Sequence, residues 1–359
     1  MAKLLVRTKK IISNIEKLSD YLEKNNITWS LTAKVLSGHK EILKPILKSS
    51  TVKKTHSVAD SRLSNLKNIR ELAPDIKTMY IKPPAIQNIK TVIDVADFSL
   101  NTSLNTLEAL NEEAKRQKKL HKVIIMIEMG ELREGVMRDE LINFYSQCFE
   151  LSNIEVVGIG TNLGCMYGVE PTFDKLIQLS LYKQLIEAKF DRKIDLISGG
   201  SSITLPLISR KKIPKLVNHF RIGEAAFLGL TPLTGKKFRN LSTEAFEFDA
   251  NIIEMEQKES KPDGKLSEGN VGHAAEAKNS AISYKAILDF GALDVNTDDI
   301  KPKDKNVRFF GTTSDMTVYD LGTSVLQKKF DVGSIIRFKP NYMAVARLMN
   351  SKFIEKEIS

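Results

Sequence analysis

Lys34 closes an apolar run, Ile27 to Ala33, and the chain then breaks at Ser37-Gly38. A lysine at the end of a buried strand can shed its charge and attack a carbonyl carbon. Seven later apolar runs also finish on or beside polar residues. The set at these ends includes Lys34, His56, Lys82, Asn101, Arg133, Asn162, Ser201, Ser202 and Arg221. Each alone reads equally well as a solvated strand end. If the strands are parallel, however, the set describes one face.

The elements that must position them alternate along the first two thirds of the chain. Ile11, Ile12, Ile15, Leu18 and Leu22 have helical spacing, with Ser13 or Asn14 as a candidate cap of a later start. Strands are expected at Ile27 to Lys34, Val52 to Ser57, Thr78 to Lys82, Asp97 to Asn101, Lys122 to Glu128, Ile154 to Thr161, Ile194 to Ser198 and His219 to Ile222. Helical stretches intervene, among them His39 to Lys48, Leu63 to Leu72, Leu104 to Lys118 and Phe173 to Ala188. Eight strand-then-helix units imply an α/β fold, a TIM (β/α)8 barrel, with its active end at the carboxyl ends of the strands. After about residue 235 the runs become short and turn-separated: Ala245 to Ile253, Ser283 to Leu288, Val307 to Phe310, Met316 to Tyr319 and Ser334 to Phe338. This predicts a C-terminal all-β domain. The expected division is 8–235 for the barrel and 236–359 for the β domain, with 1–7 as a candidate extra strand of the latter. Gln257 to Lys278 reads as an exposed loop.

Composition narrows the classes. The chain has 359 residues and a formal charge of +10. Its lysines are dispersed among acids, as in Glu112-Glu113-Ala114-Lys115-Arg116, so a solvated surface is expected and no nucleic-acid partner. Cys148 and Cys165 are far apart and no histidine lies near either in sequence, so neither a metal site nor a disulfide framework is expected. No apolar run is long enough for a membrane span, and MAKLLVRTKK has no signal-peptide core. A cytoplasmic protein with no membrane partner is the expectation.

The last two strand ends have a further property. Ser198-Gly199-Gly200-Ser201-Ser202 combines glycines that let backbone approach a ligand with two hydroxyl donors, and Arg221-Ile222-Gly223-Glu224 precedes a helix start. Loops after strands seven and eight of such barrels frequently bind phosphate. A lysine at the first strand with phosphate ends at the last two points to pyridoxal phosphate.

Several ordered motifs extend this: Thr32-Ala33-Lys34-Val35, Ala59-Asp60-Ser61-Arg62, Ser99-Leu100-Asn101, Gly130-Glu131-Leu132-Arg133-Glu134-Gly135, Gly158-Ile159-Gly160-Thr161-Asn162-Leu163, Ser198-Gly199-Gly200, Arg221-Ile222-Gly223-Glu224-Ala225 and Asn341-Tyr342. Through them the chain resembles the alanine racemase-like family of the type III pyridoxal-phosphate fold, nearest its ornithine racemase branch. The resemblance implies pyridoxal 5'-phosphate bound covalently to Lys34. Ser202, the Gly223 backbone and Tyr342 would hold the phosphate, with Ser201 beside them. Arg221 would face the pyridine nitrogen and leave it unprotonated. Arg133 and Asn162 would lie near the cofactor's phenolic oxygen and the substrate carboxylate; a salt bridge from Arg133 to Glu131 or Glu134 is the structural alternative. The resemblance also implies a head-to-tail homodimer in which the partner's β domain completes the site through Gly311-Thr312-Thr313-Ser314-Asp315. Ser314 replaces the cysteine proton donor of related decarboxylases. Asp315 could pair with the distal ammonium of a basic amino acid. The expected activity is amino-acid racemisation of a basic substrate such as ornithine or lysine. A lyase or decarboxylase and a non-catalytic carrier are the rivals.

The pattern also departs from the family. Racemisation needs proton transfer on both faces of Cα. In the stretch Glu268 to Glu276, where a tyrosine is expected, there is none; His273 and Glu276 are the candidates. Gly38 stands in place of a phosphate-binding tyrosine, and Met126 in place of a lysine that is often carbamylated. Ser201 and Glu128 replace residues more often asparagine and aspartate.

Overall fold

The computed structural model describes residues 1–267, 272–274, 282–323 and 329–359. They divide into two compact units, Lys9–Thr243 and a second made of Met1–Thr8 with Glu244–Ser359.

In the first unit eight parallel strands close on themselves: β1 Thr28–Thr32, β2 Ser57–Asp60, β3 Thr78–Tyr80, β4 Phe98–Asn101, β5 His121–Met126, β6 Ile154–Gly160, β7 Leu196–Ser201 and β8 His219–Ile222. The last strand returns to the first, with Leu31 opposite Ile222. The interior is filled by Ala59, Met79, Phe98, Leu100, Ile124, Met126 and Val157, all buried. Fully burying an Ile, Leu or Phe side chain contributes about 1.5–3 kcal/mol, so this packed centre contributes several kcal/mol to the barrel's stability. Helices wrap it. Phe173–Phe190 begins where the Thr172 hydroxyl accepts from the Lys175 N–H at 3.2 Å.

Three expectations change. The helix Thr8–Glu23 starts earlier than Ser13 or Asn14, and neither caps it. Asn14 is instead fully buried, donating to the Ser242 carbonyl and accepting from its N–H, so it ties the helix to the chain leaving the barrel. The second strand is not Val52 to Ser57. Val52 turns inward from the short helix Ser50–Lys54, and the strand is Ser57–Asp60. Thr51-Val52 mimics a β-branched strand start, but packing overrides that weak propensity. This moves His56 to the amino end of β2, away from the active face. Finally, Lys34 is not the last strand residue but opens the 3-10 turn Lys34–Leu36, which ends at Ser37 in the left-handed region.

The second unit is mostly sheet. Side by side run His273–Ala274, Arg308–Thr312, Thr317–Gly322, Ile282–Leu288, Phe246–Glu259, Lys3–Val6 and Glu355–Ile358. Lys3–Val6 pairs antiparallel with the start of Phe246–Glu259. Ile335–Pro340 joins the other edge of that long strand and pairs with Ile300–Pro302. Because Phe246–Glu259 continues through Gln257, the expected loop starts later. Phe248, Phe290, Phe338 and Tyr319 pack ring on ring at 5.0–5.9 Å between centroids. The unit is not purely β: the helix Tyr342–Asn350 begins at Asn341, whose side chain accepts from the Ala344 N–H at 2.9 Å. Lys285, buried within the sheet, is paired with Asp320 at 2.7 Å. Among the described residues no helix is long and apolar enough to cross a membrane.

Candidate active site

The carboxyl ends of the barrel strands gather most of the residues singled out above. Lys34 lies one residue beyond Ala33, just past the end of β1, and is exposed; among the described residues no hydrogen-bond or ion-pair partner meets its amine. Beside it, at the end of β2, Asp60 is buried. It accepts from the Arg62 N–H at 2.9 Å and from the Asn65 amide at 3.1 Å. Burial pushes its carboxyl up to about 6, against the pull of those donors and of Lys34.

From β8, which pairs with β1, back to the loop after β5 the mouth carries a continuous polar chain. Arg221, on β8, is buried. Its Nη1 donates to the Ser198 carbonyl at 2.9 Å and to the Ser198 hydroxyl. Its Nη2 donates to the Thr161 carbonyl and to Asn162 Oδ1, both at 2.7 Å. All four Nη hydrogens are thereby used and Nε–H is left over. Burial lowers the guanidinium to about 10, so it stays charged near neutrality. The amide of Asn162 then donates to Glu134, and Glu134 also receives Nε and Nη2 of Arg133. Nη1 of Arg133 reaches the Cys165 sulfur at 2.7 Å. The guanidinium is therefore committed to the alternative partner, Glu134.

Two carboxylates shape the loops behind this chain. Glu128 accepts from the N–H groups of Gly130, Leu132 and Arg133. Glu131, buried, accepts from Cys165, Met166, Tyr167 and Val169, and these donors hold its carboxyl below the usual range despite desolvation. Glu131 thus ties the loop after β5 to the loop after β6. Gly135 closes the first loop: a Cβ there would lie 2.2 Å from the Glu128 nitrogen.

At the ends of β7 and β8, the Ser202 hydroxyl accepts from the Ala225 N–H at 3.1 Å, which leaves its hydrogen to donate. A Cβ on Gly223 would approach the Thr32 carbonyl to 3.1 Å, so the β8 end lies against the β1 end. Glu224 follows, its carboxyl pushed up to about 7 by burial. Near neutrality it does not set a full negative charge against an anion there. The Ser201 N–H donates to Thr204 Oγ1 at 3.2 Å.

Lys82 and Asn101 do not join the chain; Asn101 is buried and donates back to Ser99. His56, at the amino end, packs tilted against Phe98 and edge-on to His219, and burial lowers it to about 4. In the sheet unit His273 pairs with Thr312, next to the turn that carries Ser314 and Asp315. That turn is braced by Ala292 and Leu293, whose N–H groups donate to the Thr313 and Ser314 carbonyls, and it leaves Asp315 exposed. Tyr342 opens the helix of the same unit. Glu276 lies outside the described residues.

Sequence reasoning named Asp60 within the motif Ala59-Asp60-Ser61-Arg62 but gave it no role, because the misplaced strand hid its position at a strand end. It saw Glu134 only as a competitor for Arg133. Nothing in the sequence marks Glu131 as the acceptor of four backbone donors.

A closed parallel barrel with a lysine after its first strand and arginine-centred polar loops around its carboxyl end is a lysine-dependent enzyme scaffold of the (β/α)8 class. Residues 6–232 match the family model described as "Alanine racemase, N-terminal domain", and the chain belongs to that family. It is 30% identical to an ornithine racemase of Acetoanaerobium sticklandii, over 99% of each chain. It is 28% identical to a lysine racemase of Thermotoga maritima, over 99% of this chain and 97% of the other. Its fold is shared by an alanine racemase of Bartonella henselae solved with covalently bound pyridoxal phosphate. The TM-score is 0.72, with 13% identity over 100% of this chain and 99% of that one.

Proposed function

We propose that this chain racemises a basic amino acid, ornithine or lysine, with pyridoxal phosphate as its cofactor. It is a pyridoxal-phosphate-dependent amino-acid racemase by class. The observation that carries the cofactor reading is the state of Arg221: a buried, charged guanidinium with every Nη hydrogen spent and Nε–H left to face a ring nitrogen. Lys34 would hold the cofactor through Nζ. The free Ser202 hydroxyl hydrogen and the Gly223 backbone would hold its phosphate, with Tyr342 and Ser201 as further ligands. When bound, pyridoxal phosphate withdraws electrons from the substrate's Cα and acidifies its proton.

The chain's residues do the rest. Lys34 moves the Cα proton on one face. His273, from the sheet unit of a partner subunit, serves the other. Arg133 orients the substrate carboxylate, which must compete with Glu134 for it. Asp315, held exposed on its braced turn, takes the distal ammonium, with Ser314 beside it. The names of the two full-length relatives, an ornithine and a lysine racemase, favour a basic substrate.

A head-to-tail homodimer accompanies this reading. Leu132, Met137, Met166 and Tyr167 are large apolar side chains more than half exposed on the two loops that Glu131 joins, a face suited to a second copy. We place the enzyme in the cytoplasm.

Each enantiomer of ornithine and lysine, incubated with enzyme in heavy water, should lose chirality while gaining deuterium at Cα. Deuterium uptake without inversion would sink two-sided proton transfer. A wild-type protein that shows no borohydride-reducible chromophore would remove the cofactor reading altogether.

A further inference from the structure

Behind Arg221 the barrel holds a row of buried polar groups that the reaction does not touch. The Ser198 hydroxyl, which accepts from Arg221, lies 2.7 Å from His219 Nδ1. His219 Nε2 lies 2.9 Å from the Ser30 hydroxyl, and that hydroxyl lies 2.7 Å from Ser57 Oγ. Ser30, Ser57, Ser198 and His219 are all essentially without solvent exposure. The register explains the row. Ser198 sits opposite His219 on β7 and β8, Ser30 opposite Ser57 on β1 and β2, and His219 and Arg221, two residues apart on one strand, face the same side.

The direction of these hydrogen bonds follows from the arginine. A guanidinium only donates, so Ser198 Oγ accepts from it. Among the described residues its own hydrogen has one acceptor within reach, His219 Nδ1. That nitrogen must then be bare and the ring proton must sit on Nε2, donating to Ser30, which donates to Ser57. The reverse polarity would leave the Ser198 hydroxyl hydrogen buried without an acceptor, an unmade bond costing about 1–3 kcal/mol. Complete burial keeps the ring neutral, aided by the nearby charge of Arg221 and by the His56 ring at 4.9 Å.

We propose that His219 is a positioning residue for the cofactor's ring nitrogen. Held as the Nε2–H tautomer, it fixes the Ser198 hydroxyl as an acceptor, and that hydroxyl fixes the rotation of Arg221 that leaves Nε–H facing the ligand. The proposal rests on the cofactor reading above, but its first part, the tautomer, does not depend on it.

The test has two arms, both on the full-length holoenzyme. Nitrogen NMR of histidine-labelled protein should find His219 with an unprotonated Nδ1 and a protonated Nε2; the opposite tautomer overturns the proposal. With pyridoxal phosphate labelled at its ring nitrogen, His219→Leu should shift the ring-nitrogen resonance and weaken cofactor retention by about tenfold, the effect of one lost charge-linked hydrogen bond. His219→Gln, which can accept and donate at similar reach, should restore both. A folded His219→Leu protein with an unchanged ring-nitrogen signal would falsify the positioning role, since generally loosened packing would not move that resonance selectively. Should His219→Leu not fold, Ser198→Ala removes a single hydroxyl and must shift the same resonance, or the proposal falls. Absence of a ring-nitrogen signal in wild type would count against the cofactor reading alone, and the tautomer arm would still decide the hydrogen-bond direction.

Discussion

The two sides of the barrel mouth are built on opposite principles. Around the ends of β5 to β8 the two arginines are tied: Arg221 to two carbonyls, a serine and an asparagine, and Arg133 to Glu134 and Cys165. Around β1 and β2, Lys34 is exposed and unpaired among the described residues, and Asp60 carries a proton affinity far from its ordinary value. The tied side can hold a ligand in one orientation, and the loose side can exchange protons and bonds. Substitutions that strand the buried groups of the tied side should therefore be felt mainly in stability, and those at its exposed groups and on the loose side mainly in chemistry and in pH dependence.

The sharpest way to break this contrast is Arg221→Met. The substitution strands the Ser198 and Thr161 carbonyls, the Ser198 hydroxyl and Asn162 Oδ1 inside the barrel. At about 1 kcal/mol per hydrogen bond, urea unfolding should show a loss of about 4 kcal/mol. A loss below about 1 kcal/mol would mean that this side is not held by its polar chain.

Asp60 tests the loose side through pH. Its folded-state carboxyl lies near 6 against an ordinary 3.8, so the folded protein binds the proton more tightly than the unfolded chain. The resulting stability is fully present below about 3.8 and is lost as the pH rises through about 6. The difference of roughly two units corresponds to about 3 kcal/mol. Urea midpoints measured from pH 4 to pH 8 should fall with that sign, and Asp60→Asn should flatten the slope. A wild-type slope of the opposite sign would remove Asp60 from the loose side.

Much of this contrast was legible in the sequence, but unevenly. The barrel follows from eight apolar runs with helical stretches between them, and those runs have the right period because parallel strands are buried on both faces. Lys34, Asn162, Ser202 and Arg221 could be found because each ends such a run. Asp60, though it lies in one of the matching motifs, received no role, since Thr51-Val52 imitates a strand and shifts β2 by several residues. The commitment of Arg133 to Glu134 was legible only as an alternative, because neighbouring opposite charges in a loop can face together or apart. The role of Glu131 depends on four N–H groups more than thirty positions away, and no local pattern encodes that convergence.

Glu134→Gln sharpens the tied side further. The pair with Arg133 is partly exposed, so stability should change by no more than about 1 kcal/mol. Its effect should appear in kinetics. A neutral amide no longer competes with the substrate carboxylate for the guanidinium, so KM should fall. The Asn162 amide loses its charged acceptor, so kcat should fall with it. Should KM rise while kcat holds, Glu134 would be the group that presents Arg133 to substrate rather than its competitor.

The smallest effect on stability belongs to Lys34→Ala, and it is the most telling. Lys34 is exposed and, among the described residues, its amine has no hydrogen-bond or ion-pair partner and acts on Asp60 only through charge, so the unfolding free energy should shift by less than about 0.5 kcal/mol. Borohydride treatment followed by peptide mapping should find the cofactor attached at residue 34 in wild type and nowhere in the variant. The pair of results separates the two sides cleanly: an amine that contributes almost nothing to the fold while being required for covalent attachment is one the barrel leaves free to react. An equal loss of stability and attachment would instead place Lys34 within the structural network. The mouth would then have no loose side at all.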